Sequence, residues 1–499
     1  MNIIKMQELS RWDKQLKLVR TATLGSMFVK ALGKEALPDP SNLTAGDFET
    51  AEDRIKHEHL YQQFLSRAEF DGFTSQTLRI MAGKMAFDKA TFEVPQQLEY
   101  LKMSADGDGL TLSGLVENCF QNVAQVKWHI VLCHWVGSDK LPDNPSLGDV
   151  KRAKMRCVFK EYSRESVYWY DYKEINGVNQ LSLLVLRQES TYTKKTPSGI
   201  SEEKQEEFLI LGINDTGNYY QELIVKRDGV RMESESIGEY EVKANGKPLN
   251  FIPVFIVSDE ELTTGKLPEE TGFLGPISDL EYHRYNVSAK RKSALNKFDP
   301  TIFIENMSMA AWESTKEMNG RSAIEMCGIN ILGSNEDENS GALSVNMLSP
   351  AGSLADYFVE DEKSLERLRM LGASIDAPRK KNQTATEANI EASKQNAFLG
   401  PCANSLERMV LTLFLYAGIF EGLWSQDDLE TNSDQIKVKL NRDFAQIKGS
   451  PEEVNTVINL YAVANLIGEE QAIQMIIDLG WLKGDAEELV RGIESRDEM

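Results

Sequence analysis

Histidine and cysteine are both scarce in this 499-residue chain, at five of each. The cysteines, Cys119, Cys133, Cys157, Cys327 and Cys402, are odd in number, widely scattered and never spaced as CxxC. That argues against a disulfide framework and fits a reducing compartment. Long apolar runs are missing as well: the longest, Val410 to Phe420, stops at Glu421, too short to span a bilayer. Met1 to Gln15 interleaves Lys5, Glu8, Arg11 and Asp13 with apolar residues, so it holds no secretory core segment. Cation is in deficit, with 55 Lys and Arg against 77 Asp and Glu, a net charge of −22. Proteins that coat nucleic acid along their whole length carry surplus cation, so that class is disfavoured and only local basic patches remain to be sought. With 41% apolar and 26% charged residues there is material for folded cores, and the length suggests two to four domains. A soluble, intracellular, multidomain protein is expected.

Motifs of catalysis are absent. Gly83-Lys84 is followed by Met, Gly246-Lys247 by Pro and Gly265-Lys266 by Leu, where a phosphate loop needs Ser or Thr for magnesium. HExxH, GxSxG and EF-hand patterns do not occur. His57 and His59 lie two apart in a helical run, so their side chains diverge by roughly 200° and a solvated helix face is expected. His129, Cys133 and His134 form a denser group, but no fourth ligand stands at matching spacing. Their run, Val126 to Val136, reads as a buried strand or helix, with a core Cys and a capped His. No enzyme, metal site or cofactor is predicted.

The period of the apolar residues changes along the chain. The first 135 residues read mainly as helix, with runs at 55–70, 74–87 and 112–126, and Asp106-Gly-Asp-Gly109 as a turn. From about 156 to 258 short β-branched or aromatic runs alternate with Asn176-Gly177, Asp215-Thr-Gly217, Asp228-Gly229 and Asn245-Gly246 turns. This predicts an antiparallel β domain, with 250–257 as its last strand and 191–207 as a polar loop. Gly275-Pro276 then introduces a helix over 277–298 whose later half is basic: Arg284, Lys290, Arg291, Lys292 and Lys297 outweigh Asp279 and Glu281. A strand at 301–305 opens about 50 residues of short strands and polar loops, and 353–371 reads as a second long helix. Beyond the basic Arg379-Lys380-Lys381, the capping-box form of Thr384 and Glu387 starts a helix to about Trp424, kinked at Gly400-Pro401. A strand pair is expected around 436–440. Ser450-Pro-Glu-Glu453 opens an acidic helical tail. Acidic runs such as Asp259-Glu-Glu261 and Glu336-Asp-Glu338 read as solvated loops, and Trp128, Trp135, Trp169 and Trp424 as core or interface anchors.

Three stretches then resemble portal proteins of tailed bacteriophages, in their short branch. They are Gly275-Pro-Ile-Ser-Asp-Leu280 through Asn286, Ser288-Ala289 and Asp299-Pro-Thr301; Met370-Leu-Gly-Ala373; and Gln383-Thr-Ala-Thr-Glu387 with the long helix after it. With the element order, the resemblance covers roughly residues 55 to 425. It implies an α+β, mainly helical portal fold. The wing would take a helical part at 1–150, an antiparallel β part at 151–275, and a long kinked helix with a strand pair at 389–450. Two stem helices would occupy 276–298 and 352–372, with a small α/β clip at 299–351 between them. A tunnel loop at 373–388 and a helical, acidic crown at 451–499 would complete the chain.

The function implied is that of a head–tail connector: a dodecameric ring at one capsid vertex of the virion, assembled in the host cytoplasm, without enzymatic activity. It would nucleate capsid assembly and pass double-stranded DNA during packaging and ejection. Its partners would be copies of itself, major capsid protein, scaffolding protein, terminase and a tail adaptor, with no membrane. Arg379, Lys380 and Lys381 are the candidate DNA-facing residues of the tunnel loop, with an ordinary solvated loop as the alternative. Arg284, Lys290, Arg291, Lys292 and Lys297 are stem candidates that face the channel or pair with acids such as Asp356, Glu360 and Asp361. The competing functions are another virion assembly or scaffold protein and an acid-lined hydrolase.

Overall fold

The chain divides into two compact units, one comprising Met1–Leu16, Thr77–Gly275 and Ser374–Met499, the other Lys17–Gln76 and Pro276–Ala373. The computed structural model describes residues 3–41, 50–136, 155–175, 177–196, 199–226, 234–244, 246–262, 265–297, 301–307, 324–326, 329–335, 344–348, 355–373, 385–426, 432–442, 451–462 and 468–478.

In the first unit, a three-stranded sheet is built on Trp128–Val136, with Val254–Ser258 on one side and Arg156–Ser163 on the other, both antiparallel. The sequence places 250–257 at the end of the β domain. Its strand instead reaches back to the one that follows helix Leu112–Val126, because both are apolar enough to be buried on two faces. Helix Leu112–Val126 spans its predicted segment, with the Thr111 side chain accepting from Gly114 N. Helix Ala385–Phe420 runs on through Pro401, which leaves the Ala397 carbonyl without its helical donor. Its apolar face packs on the sheet. Phe159 meets Phe414 edge-on at 5.7 Å, Trp135 stacks on Phe420 at 5.7 Å, and Ser258 N donates to Ser405 Oγ at 3.3 Å.

A five-stranded antiparallel meander belongs to the same unit, running from Val167–Ile175 through Val178–Thr196, Gly199–Ile213 and Tyr219–Lys226 to Ser234–Glu241. Two of its turns carry glycines with positive φ, Gly177 at 79° and Gly217 at 82°, where a side chain would be strained. The segment 191–207, read from sequence as a polar loop, is instead a paired ribbon that continues to Thr196 opposite Gly199. Its Thr, Tyr and Ile residues favour extended backbone, and Lys–Glu content suits a ribbon with no apolar face to bury. The expected local strand pair near 436–440 is also corrected: Lys437–Lys439 pairs with Thr91–Glu93. Helices Pro451–Ala462 and Glu469–Asp478 pack on each other in the acidic tail.

The second unit has its own core. Val29, Leu37, Phe64, Leu65 and Phe70 from the segment before residue 71 gather around Tyr282, Tyr285 and Ala289 of helix Leu274–Lys297. Phe70 meets Tyr285 edge-on at 5.7 Å, and Tyr61 OH donates to Leu37 O at 2.9 Å. A four-stranded sheet lies in sequence between this helix and helix Ala355–Met370. In it Thr301–Met307 runs parallel to Ile329–Asn335 and antiparallel to Ser344–Leu348, and Ile324–Met326 borders Ile329–Asn335. No described helix is long and apolar enough to cross a membrane.

Candidate functional site

Within the second unit, the basic half of helix Leu274–Lys297 meets acids from two other segments. Arg284 is nearly buried and donates from Nε and Nη2 to one oxygen of Asp361, at 3.2 and 2.8 Å. Its Nη1 lies 2.9 Å from Asp71, and its guanidinium sits over the Phe73 ring at 5.2 Å. Arg291, two turns along the same helix, donates to the other Asp361 oxygen at 3.3 Å and lies over Phe358. One carboxylate of helix Ala355–Met370 thus holds two arginines of the other helix. Burial raises the Asp71 carboxyl above its ordinary value, against the opposing pull of Arg284. Lys292 pairs with Glu69. Lys290 is exposed and has no ion-pair partner among the described residues. The Lys297 side chain, and all of Arg379, Lys380 and Lys381, lie outside the described residues.

A second anchor was not legible in the sequence. Glu281, one turn before Arg284, is buried and accepts from the backbone of Gly72, Phe73 and Thr74 and from the Thr74 hydroxyl, the last two at 2.9 and 2.6 Å. A carboxylate more than 200 positions away therefore satisfies the free N–H groups at the start of helix Phe73–Met85. Burial raises the Glu281 carboxyl, and the hydrogen bonds from Thr74, Phe73 and Gly72 oppose that rise.

In the first unit the histidines sort differently from the sequence grouping. His129, Cys133 and His134 lie on one strand, so His134 faces opposite to the other two. His129 comes together instead with Cys119 of helix Leu112–Val126 and Glu161 of the neighbouring strand, all three ligand atoms within 4.8 Å of one another. His129 is 2% exposed, and neither ring nitrogen has a hydrogen-bond partner among the described residues. His129 Nε2 lies 3.4 Å, and Cys119 Sγ 3.6 Å, from the same Glu161 oxygen. Burial, then Glu161, pushes the Cys119 thiol well up. The strand register puts Glu161 opposite Val131, hence on the His129 face. No local motif could signal this, because the three come from three elements. His134 is half-buried, with its imidazole pushed down to about 4 by burial and by Lys160.

Other expectations resolve individually. His57 and His59 sit on helix Ala51–Arg67, with His57 bonded to Ser41 at 2.8 Å and His59 to Gln63 at 3.0 Å. Asp259, expected in a solvated loop, is largely buried and pairs with Lys127 at 3.0 Å, because the loop folds back on the end of helix Leu112–Val126. Trp128 is fully buried and Trp424 nearly so, whereas Trp169 is 43% exposed. Arg164 is buried without an acid ion-pair partner among the described residues, and its guanidinium donates to the carbonyls of Val126, Glu269 and Glu270. A cavity of about 410 Å³ in the same unit is lined by Glu161, Tyr162, Glu165, Ser166, Arg187 and Gln188, along with Lys160.

No protein-family model matches the chain, and no curated protein matches it. Solved structures with similarity include a chain from the neck of an empty gene transfer agent particle, computed with C6 symmetry. It is 10% identical, with a TM-score of 0.37 over 83% of this chain and 92% of that one. A chain from the virion of a native gene transfer agent particle is 9% identical, with a TM-score of 0.36 over 92% of this chain and 100% of that one. At TM-scores below 0.5 neither neighbour decides the function.

Proposed function

We propose that this chain is a portal protein of a tailed phage or phage-like particle, a non-enzymatic subunit of a ring at one capsid vertex through which double-stranded DNA passes. Helices Leu274–Lys297 and Ala355–Met370 are the stem in this reading, the sheet between them in sequence is the clip, and 373–388, whose last four residues begin helix Ala385–Phe420, is the tunnel loop. The observation that carries it is this helix pair, joined at Asp361 and bracketing a small sheet, in a chain whose Gly275–Thr301 and Gln383–Glu387 stretches follow the portal order.

The charge geometry suits the task. A channel that moves DNA must not grip phosphates, since each strong contact acts as a brake. Arg284 is held between Asp361 and Asp71, Arg291 also by Asp361, and Lys292 by Glu69, which leaves Lys290 as the exposed cation of this helix without an ion pair among its described side chains. Assembly also accounts for apolar side chains left in water, such as Leu24, Met27, Phe28, Ile55 and Phe358.

The test is the oligomeric mass and negative-stain image of the purified chain, alone and with its scaffolding protein. A closed ring with an axial hole wide enough for a duplex supports the proposal, and Arg379, Lys380 and Lys381 to Ala should then alter DNA packaging. A chain that stays monomeric or dimeric under both conditions overturns it.

A further inference from the structure

We propose that Cys119, His129 and Glu161 form a binding site for a zinc-like divalent transition metal in the first unit, beyond and independent of any role in a ring.

The first support is the donor set. Thiolate, imidazole and carboxylate are the three ligand types that zinc takes, and three protein ligands with an open fourth position are a common zinc arrangement. The second is distance. With ordinary zinc–ligand bond lengths and tetrahedral angles, a nitrogen and an oxygen ligand lie about 3.4 Å apart, and a sulfur and an oxygen about 3.6 Å. His129 Nε2 and Glu161 Oε1 are 3.4 Å apart, and Cys119 Sγ and Glu161 Oε1 are 3.6 Å apart. The third is the state of His129. A buried imidazole with no hydrogen-bond partner on either nitrogen among the described residues is costly. A metal on Nε2 would remove half of that cost.

The surroundings fit as well. Asn118 Nδ2 donates to the second Glu161 oxygen at 3.2 Å, an outer contact that orients the carboxylate. Glu161 is 22% exposed and borders the cavity described above, so it is the one ligand of the three that an ion reaches from there. The fourth position falls to water.

The probe is Co²⁺, added to the full-length chain after chelator dialysis. One Co²⁺ per chain should bind, with a thiolate-to-cobalt charge-transfer band and the intense visible bands of a tetrahedral site, all displaced by Zn²⁺. Cys119→Ser should remove the charge-transfer band, and His129→Gln or Glu161→Gln should weaken binding at least about tenfold. Cys133→Ser, four residues along the strand from His129, should leave the spectrum unchanged, and circular dichroism checks that each variant folds. The proposal is overturned if the unmodified chain shows no charge-transfer band, or if the band survives in folded Cys119→Ser. Both outcomes are independent of ring formation, so this site and the portal reading fail separately.

Discussion

Arg284 and Asp361 are joined by two hydrogen bonds to one carboxylate oxygen, while the other oxygen of Asp361 holds Arg291. Opposite charges brought out of water contribute little net stability as a set, but removing one partner strands the rest. Asp361→Asn should therefore cost about 2–4 kcal/mol, with Asp71 left as the remaining acid beside Arg284. Arg284→Met combined with Asp361→Leu should cost less than the sum of the single changes. Hydrogen exchange of amides in helix Leu274–Lys297 is the measurement, because it reads this unit without requiring the whole chain to unfold in one step. Equal protection in Asp361→Asn and the unmodified chain would contradict the role given to this carboxylate.

Glu281 separates charge from hydrogen bonding. Gln keeps one carbonyl oxygen but turns an amide NH₂ toward the Thr74 N–H, so Glu281→Gln should destabilise by about 1–3 kcal/mol. Glu281→Ala should cost more, since it leaves three backbone donors and the Thr74 hydroxyl unpaired at the start of helix Phe73–Met85. Its folded pKa is raised, so the folded state holds the extra proton above the ordinary carboxyl range. Stability from this group should then fall as pH rises through that window. Urea midpoints from about pH 4 upward, compared between the unmodified chain and Glu281→Gln, give the sign.

His134 should act in the opposite sense. Its pKa is pushed down to about 4 from 6.5, so the unfolded chain takes up the proton first as pH falls. The stability it contributes is complete above about pH 6.5 and is lost progressively toward pH 4, on the order of 1–3 kcal/mol. Replacing His134 with Asn should flatten the dependence of the melting temperature between pH 7.5 and 5. An unchanged slope would assign the acid sensitivity elsewhere.

These sites show what could be read from the residues alone. Helix Leu112–Val126 was legible because its apolar residues keep a 3.6-residue spacing and Thr111 caps it. The turns at Gly177 and Gly217 were legible because positive φ selects glycine. Pairings between distant segments were not: Val254 opposite Leu132, and Phe92 opposite Val438, leave no local mark. The same holds for Glu281 at the start of helix Phe73–Met85, and for the trio Cys119, His129 and Glu161, whose meeting depends on register and packing. Ribbon 191–207 failed for another reason. Its polarity suggested a loop, but two strands that pair with each other need no apolar face.

Arg164 tests whether carbonyl groups alone can hold a buried cation. Burial lowers it to about 10, so it remains charged at neutral pH, and its partners include the last carbonyl of helix Leu112–Val126, where the helix dipole is negative. Arg164→Met should cost about 2–4 kcal/mol, through the unpaired carbonyls of Val126, Glu269 and Glu270. Arg164→Lys should recover only part of this, because an ammonium lacks the planar fork that spans them. Chemical denaturation followed by fluorescence measures this in a chain with Trp128 as its one remaining tryptophan of seven, the ring that lies under the guanidinium at 5.5 Å.

Two glycines should respond to alanine with opposite signs. At Gly272 a Cβ would be driven into the backbone oxygens of Val123 and Ala124, in the last turn of a helix that is itself packed in the core. Backbone there cannot yield as a side chain can, so Gly272→Ala should destabilise by about 1–3 kcal/mol or more. Gly83 lies exposed in helix Phe73–Met85, with open space where its Cβ would go. Its cost is mainly the freedom it gives the unfolded chain, so Gly83→Ala should stabilise by about 0.5–1 kcal/mol. Both glycines belong to the first unit, so one set of melting curves compares them directly. A neutral Gly272→Ala would mean that the loop before helix Leu274–Lys297 can move away from helix Leu112–Val126, against the hydrogen bond from Gly272 N to Gln125 O at 3.2 Å.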